Sequence, residues 1–296
     1  TALMVLATST ATCVATEHVL CRWSRQQSTV SDWSAVITGL LLGLTLPPAF
    51  PLWMVFVGGV LAITLGKFLF GGLGYNAFNP ALVGRAVLQA AFPVAITTWH
   101  PAFLADRFSE IPSSLLTVPL MEPAFDGVTG ATPLAAFKFE QAATETTDLA
   151  LGLISGSTGE TCALLILLGG IYLALRGMMN WRIPVSILVT VFVFSGALYL
   201  ADPGQYPDPV FMLFSGGLML GAVFMASDMV ASPITPLGVV IYGALIGIVV
   251  VVIRIWGGLP EGVMYAILLG NAISPHIDNA IQPRVYGTAT KKATAS

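Results

Sequence analysis

The feature that most constrains this chain is a succession of apolar segments joined by short turns and interrupted by a single long polar interval. Hydrophobic residues fill 56% of its 296 positions and charged residues only 9%. A soluble domain carries roughly 25% charged residues, so this sequence cannot coat a globule in water. It suits a protein whose solvent is largely lipid, where backbone groups must be satisfied within the chain itself. The expectation is an all-α integral membrane protein with about 8–10 transmembrane helices, some of them discontinuous. A net charge of −3 offers no basic field to nucleic acid. Cys13, Cys21 and Cys162 make no CxxC pair and no zinc or iron–sulfur spacing. His18, His100 and His276 lie too far apart in sequence to suggest a haem pair or a metal triad.

The first apolar segment, residues 2–21, ends at Arg22 and Arg25, and no basic region precedes it. It reads as a true membrane helix and not as a signal peptide. Glu17-His18 in its last turns is anomalous, because charged groups in a span tend to face a protein interior or a water-filled cavity. A glutamate reaching the interface toward Arg22 is the plainer alternative. Residues 36–46 are too few to cross a bilayer at 1.5 Å per residue, and Pro47-Pro48 stop them. A third segment runs over 52–67. The stretch Phe70-Gly71-Gly72-Leu73-Gly74-Tyr75-Asn76-Ala77-Phe78-Asn79-Pro80 then places three glycines and two asparagines between hydrophobic spans. Irregular backbone at that depth persists only where protein or a cavity covers it, and in transporters such breaks mark binding sites. Asn79 followed by Pro80 also has the form of an ordinary helix N-cap. Segment four, 80–92, carries Arg85 in its interior.

Residues 94–160 form the polar interval, crowded with acidic residues against only Arg107 and Lys138. The remaining apolar segments are 161–175, 183–200, 210–226, 237–253 and 262–273. A second broken stretch, Met225-Ala226-Ser227-Asp228-Met229-Val230-Ala231-Ser232-Pro233-Ile234-Thr235-Pro236, separates two of them. Two broken stretches in comparable halves are what an inverted internal repeat would give. Similarity between the halves is too weak to establish one. If 36–46 and 52–67 form a hairpin, the basic clusters at Arg22/Arg25, Lys67, Arg176/Arg182 and Arg284/Lys291/Lys292 share one face. The positive-inside rule makes that face cytoplasmic and leaves Arg254 as the exception. The chain then divides into N-terminal membrane helices (1–93), an extracytoplasmic loop (94–160), C-terminal membrane helices (161–283) and a cytoplasmic tail (284–296).

Within the polar interval stands Asp126-Gly127-Val128-Thr129-Gly130-Ala131-Thr132-Pro133-Leu134. Two glycines and two hydroxyl residues following an aspartate make a turn that exposes backbone N–H groups and presents a hydroxyl. An Asx- or Ser/Thr-type turn before a short helix accounts for such a string as well.

Taken in order, FGGLGYNAFNPALVGRAVL, DGVTGATPL, FMASDMVASPITPLG, RIWGGLPEGVMYAILLGNAISPHID and QPRVYG resemble one family across nearly the whole chain. It is the flavin-carrying membrane subunit shared by the Rnf complex, as its D subunit, and the Na⁺-translocating NADH:quinone reductase, as its B subunit. The resemblance implies further membrane helices upstream of Thr1. It implies FMN esterified through its phosphate to Thr132 by a flavin transferase, with Asp126, Gly127, Thr129, Gly130 and Ala131 shaping the attachment turn. It further implies a non-covalent riboflavin at Asn76 and Asn79 in the quinone-reductase branch. Glu17, Asp228 and Asp278 match positions proposed to handle Na⁺ or H⁺.

The function so implied is an electron-carrying membrane subunit of a redox-driven Na⁺ or H⁺ translocase in the bacterial inner membrane. It works with the other membrane and peripheral subunits of the complex and holds no complete active site alone. The long interval before Thr132 favours the Rnf branch, a ferredoxin:NAD⁺ oxidoreductase, over the quinone reductase. A non-redox solute channel or carrier would use broken helices and cavity-facing asparagines equally well, and a purely structural scaffold subunit is a third reading. Only the flavin signature separates these from the redox reading.

Overall fold

The computed structural model describes residues 1–282 except Gln26, Ser28, 101–110, 122–129 and Ala143. Among the described residues every regular element is helical, as the composition requires. The first half contributes α1 (Ala2–Trp23), α2 (Ser34–Leu44), α3 (Leu52–Gly66) and α4 (Pro80–Ala91). The polar interval contributes three short helices, α5 (Pro93–Thr97), α6 (Pro133–Glu140) and α7 (Thr146–Leu151). The second half contributes α8 (Ala163–Leu175), α9 (Arg182–Ala201), α10 (Pro209–Phe214), α11 (Leu218–Leu220), α12 (Pro236–Trp256) and α13 (Val263–Ala280). The proposed tail, 284–296, lies outside the described residues.

Among the described residues, four helices are long and apolar enough to cross a membrane: α1, α3 with the 3₁₀ turn that follows it, α9 and α12. The other apolar segments are shorter pieces, such as α2 and α8. Along α9, the side chains of Val185, Val189, Phe192 and Val193 are exposed at helical spacing. A helix that is apolar on its outer face as well as its inner one has lipid as its solvent. Its inner face meets α12 closely. A Cβ on Gly247 of α12 would come 2.8 Å from Thr190 Cβ and 3.0 Å from the Ile187 carbonyl, so the absence of a side chain there sets the interhelical spacing.

Two sequence boundaries give way. Residues 210–226 are not one span. The helix breaks at Ser215-Gly216-Gly217, with Gly216 at φ +63°, and resumes as α11 and a π turn at Gly221–Met225. The reason is tertiary: Gly217 N–H turns to the carboxylate of Glu261 at 2.9 Å and not to a helical carbonyl. Conversely, α13 does not stop at 273 but runs through Pro275 to Ala280. One proline removes only a single N–H from the ladder, and packing of Ser274 and Ile277, both buried, outweighs that loss.

The apolar interior is divided. One cluster joins Val5, Leu42, Phe50, Val55, Ala62, Ala81 and Leu88 of the first half. A second joins the second-half helices and includes Leu82, and a small third joins Cys13, Ala35 and Ile63. Helix α4 therefore lends Ala81 and Leu88 to the first core and Leu82 to the second. The short α2 ends inside the protein, where its last carbonyls would be unsatisfied. Gly159 N–H donates to Leu44 O at 2.8 Å and Thr158 N–H to Leu46 O at 3.3 Å, so the end of the polar interval closes the half-helix.

Candidate functional site

Among the described residues, four helix starts share one local form, a capping side chain followed by proline: Asn79-Pro80, Thr132-Pro133, Asp208-Pro209 and Thr235-Pro236. In each, an oxygen of the cap accepts from N–H groups that have no helical partner. Thr132 accepts from Ala135 N–H at 3.3 Å and is half-buried. Its hydroxyl therefore keeps a hydrogen and an approach from outside. Just before it, Gly130 N–H donates to Trp99 O at 2.8 Å. Asp126, Gly127 and Thr129 lie outside the described residues.

Helix α6, which Thr132 opens, lies against the loop after α12. Lys138 donates to the carbonyls of Arg254 at 3.0 Å and Leu259 at 3.1 Å, and also to Gly257 O. Burial pulls the Lys138 ammonium below its ordinary range. Leu134, Phe137, Lys138 and Gln141, one face of the helix, border a cavity of about 180 Å³. Tyr206 and Trp256, an edge-on pair 6.4 Å apart, close its far wall.

The two broken stretches, distant in sequence, meet. Asn79 Nδ2 donates to Met225 O at 3.3 Å while its Oδ1 caps Ala81 and Leu82. Asn76 Nδ2 donates to Phe78 O at 3.2 Å and reaches Asp228 Oδ2 at 3.5 Å. Asn271 of α13, oriented so that every group finds a complement, accepts from Asn79 N–H at 3.1 Å and donates to Tyr242 Oη at 2.7 Å. Tyr242 in turn reaches Ala226 O at 3.4 Å. Asn271 and Tyr242 carry this junction, and neither stands out in the sequence; an asparagine and a tyrosine within apolar spans are the available signal.

The three acids expected on an ion route are placed differently from one another. Asp228 Oδ1 accepts from Val230 N–H at 3.1 Å and Asp278 Oδ1 from Ile234 N–H at 3.0 Å. Both thus order the second broken stretch. Glu17 is in the other half, 2% exposed, and receives Lys67 Nζ at 2.6 Å together with the Thr29 hydroxyl. Lys67 also donates to Ser34 Oγ. The buried partner of Glu17 is thus Lys67, and not Arg22 at the interface. No group of three or more His, Cys, Asp or Glu side chains fit to hold a metal occurs among the described residues.

A fourth set escapes a reading of the sequence alone. Arg85 pairs with Glu160 at 2.8 Å, and both are buried. Arg254 pairs with Glu261 at 3.3 Å and donates to Met212 O at 2.6 Å and Ser215 O at 2.9 Å. Those carbonyls are freed by the helix break at Ser215-Gly217. Arg254, the exception on the charge map, is an interior cap and not a surface charge. The signal is present in the chain: an arginine inside each of two apolar helices demands a carboxylate nearby.

These features define a polytopic helical membrane protein whose broken helices converge in its interior, with a capped hydroxyl turn at the bundle's edge. Residues 1–287 match the model of the NQR2, RnfD, RnfE family, and the chain belongs to that family. It is 41% identical to the D subunit of the Na(+)-translocating ferredoxin:NAD(+) oxidoreductase complex of Acetobacterium woodii, over 99% of this chain and 85% of that protein. It is 40% identical to the D subunit of the proton-translocating ferredoxin:NAD(+) oxidoreductase complex of Clostridium ljungdahlii, over 97% and 84%. The D subunit of the ion-translocating oxidoreductase complex of Sodalis glossinidius is 40% identical over 93% and 84%. A sodium and a proton translocator are thus about equally similar to it, so overall identity does not select the ion.

Proposed function

We propose that this chain is the D-type membrane subunit of a multi-subunit, ion-translocating ferredoxin:NAD⁺ oxidoreductase of the bacterial inner membrane. Its part would be to carry electrons on FMN esterified to Thr132, with the polar interval on the extracytoplasmic side. The observation that carries the reading is Thr132 itself. It is the last threonine of the DGxTGAT string, half-buried at the start of α6, the helix whose Leu134 and Phe137 line an aromatic-walled cavity.

The residues fit the group. In forming the ester the Thr132 hydroxyl would lose its hydrogen, with the leaving group departing from the transferase's flavin donor, and a phosphate at a helix N-terminus would meet N–H groups there. When bound, the flavin supplies electron exchange. The chain's own residues would hold the attachment turn against the bundle through Lys138 and shield one wall with Tyr206 and Trp256. Attachment would be made by a flavin transferase, and electrons would enter and leave through the other subunits.

A riboflavin at Asn76 and Asn79 asks more of the chain. The Asn79 amide is spent on its cap and on Met225 O, so a bound flavin would have to replace those bonds. Asp228 and Asp278 remain the proposed acids of the ion route beside this junction. Glu17 would join the route only on leaving Lys67.

Mass spectrometry of the peptide containing Thr132 tests the central reading. The expected mass is that of the peptide plus one FMN. An unmodified peptide from cells that possess the transferase would return the chain to the non-redox carrier reading.

A further inference from the structure

The Arg85–Glu160 and Arg254–Glu261 pairs converge on one peptide unit. A Cβ on Gly217 would stand 2.6 Å from Glu160 Oε1, and a Cβ on Gly216 would stand 2.8 Å from both carboxylate oxygens of Glu261. The two carboxylates therefore flank Gly216-Gly217 from either side. They also line a common cavity of about 20 Å³, together with Thr45 and Arg85. That volume admits about one water molecule.

The cavity asks for a polar occupant. Arg85, 7% exposed, borders it with its Nε–H unpartnered among the described residues. A buried donor left without an acceptor is costly, and native interiors satisfy such groups with ordered water. A water there would find the two to four partners it needs among the lining residues Thr45, Arg85, Glu160 and Glu261.

Charge makes the pair of acids unequal. Glu160 is buried against Arg85, whereas the Glu261 side chain, at 25% exposure, is the more accessible of the two. Burial first, and then the negative charge of Glu160, push the Glu261 carboxyl above the usual glutamate range. Arg254, Arg85 and the Gly217 N–H pull it back. Tyr265 faces Arg85 from α13, and Lys138 is committed to backbone carbonyls.

We propose that Glu160 and Glu261, joined by water in this cavity, form one proton-binding site, with Glu261 as the group that carries the proton. Loading converts the Glu261 carboxylate into a carboxylic acid with a proton from solvent, and the four-residue cluster changes from net zero to one positive charge. No oxidant or reductant takes part. The site includes no atom of Thr132, so its test is read on the chain with or without a group attached there.

Infrared difference titration of the full chain in detergent, over roughly pH 5 to 9, measures it. A buried carboxylic-acid band that persists above the usual glutamate range is expected. It should vanish in Glu261→Gln and disappear at lower pH in Glu160→Gln, which removes the negative neighbour. Should Glu261→Gln not fold, Glu261→Asp serves, with the band expected at a changed frequency. A wild-type chain without such a band, or a band untouched by either change at Glu261, overturns the proposal.

Discussion

At the residue scale, the interior is organised by charges that find one partner each. Lys67 and Glu17 are both nearly inaccessible, at 4% and 3% of side-chain exposure. Breaking such a pair leaves the survivor buried and uncompensated, at a cost of about 3–5 kcal/mol. Lys67→Met should therefore destabilise the chain by about that amount, and adding Glu17→Gln should recover most of it. Unfolding in detergent, followed by helical circular dichroism, measures both. A double variant no more stable than Lys67→Met would show that Glu17 is held by something other than this pair. The same pairing constrains the ion route, because a cation at Glu17 must compete with an ammonium already 2.6 Å away.

At the scale of elements, close approach of backbones does what side-chain charge does elsewhere. Gly247→Val in α12 would drive a branched side chain into Thr190 and the Ile187 carbonyl of α9. Overpacking of this kind costs about 1–3 kcal/mol, and here backbone as well as side chain must shift. Gly258→Ala, where a Cβ meets nothing within 4 Å, should be tolerated. Equal loss of thermal stability in the two variants would mean that α9 and α12 do not depend on this contact.

The elements themselves are largely legible in the sequence. Long apolar runs and cap-proline pairs place α1, α4, α9 and α12 within a few residues, because those signals are local. The break at Gly216-Gly217 and the continuation through Pro275 are not legible. Each is decided by a partner far along the chain, Glu261 in one case and core packing in the other. Asn76, Asn79 and Asp228 stand out by their type within broken stretches, and the structure brings them together. That Asn79 also caps α4 follows from Asn-Pro alone. The Arg85–Glu160 pair needs the fold, since 75 residues separate its members.

For the whole molecule, the pairing of arginines removes Arg254, the one exception, from the proposed charge map. Arg85, Arg254 and Lys67 are all paired inside the protein, so the charge-map expectation of a cytoplasmic face opposite Thr132 rests on Arg22/Arg25, Arg176/Arg182 and the C-terminal basic residues. A cysteine introduced at Gly130 should react with a membrane-impermeant thiol reagent added to intact cells. Reaction only after permeabilisation would invert the topology. The Sγ of Cys13 and that of Cys21 are buried, and Cys162 is half-buried, so the background is low.

The sequence distance within the Arg85–Glu160 pair also bears on how the chain is made. An arginine near the middle of a membrane helix raises the free energy of insertion by about 2.5–3.5 kcal/mol. When α4 leaves the ribosome, Glu160 has not yet been synthesised. Arg254 is different, for its carboxylate follows seven residues later. The charge of Arg85 can therefore meet its carboxylate only once the residues preceding α8 have been made.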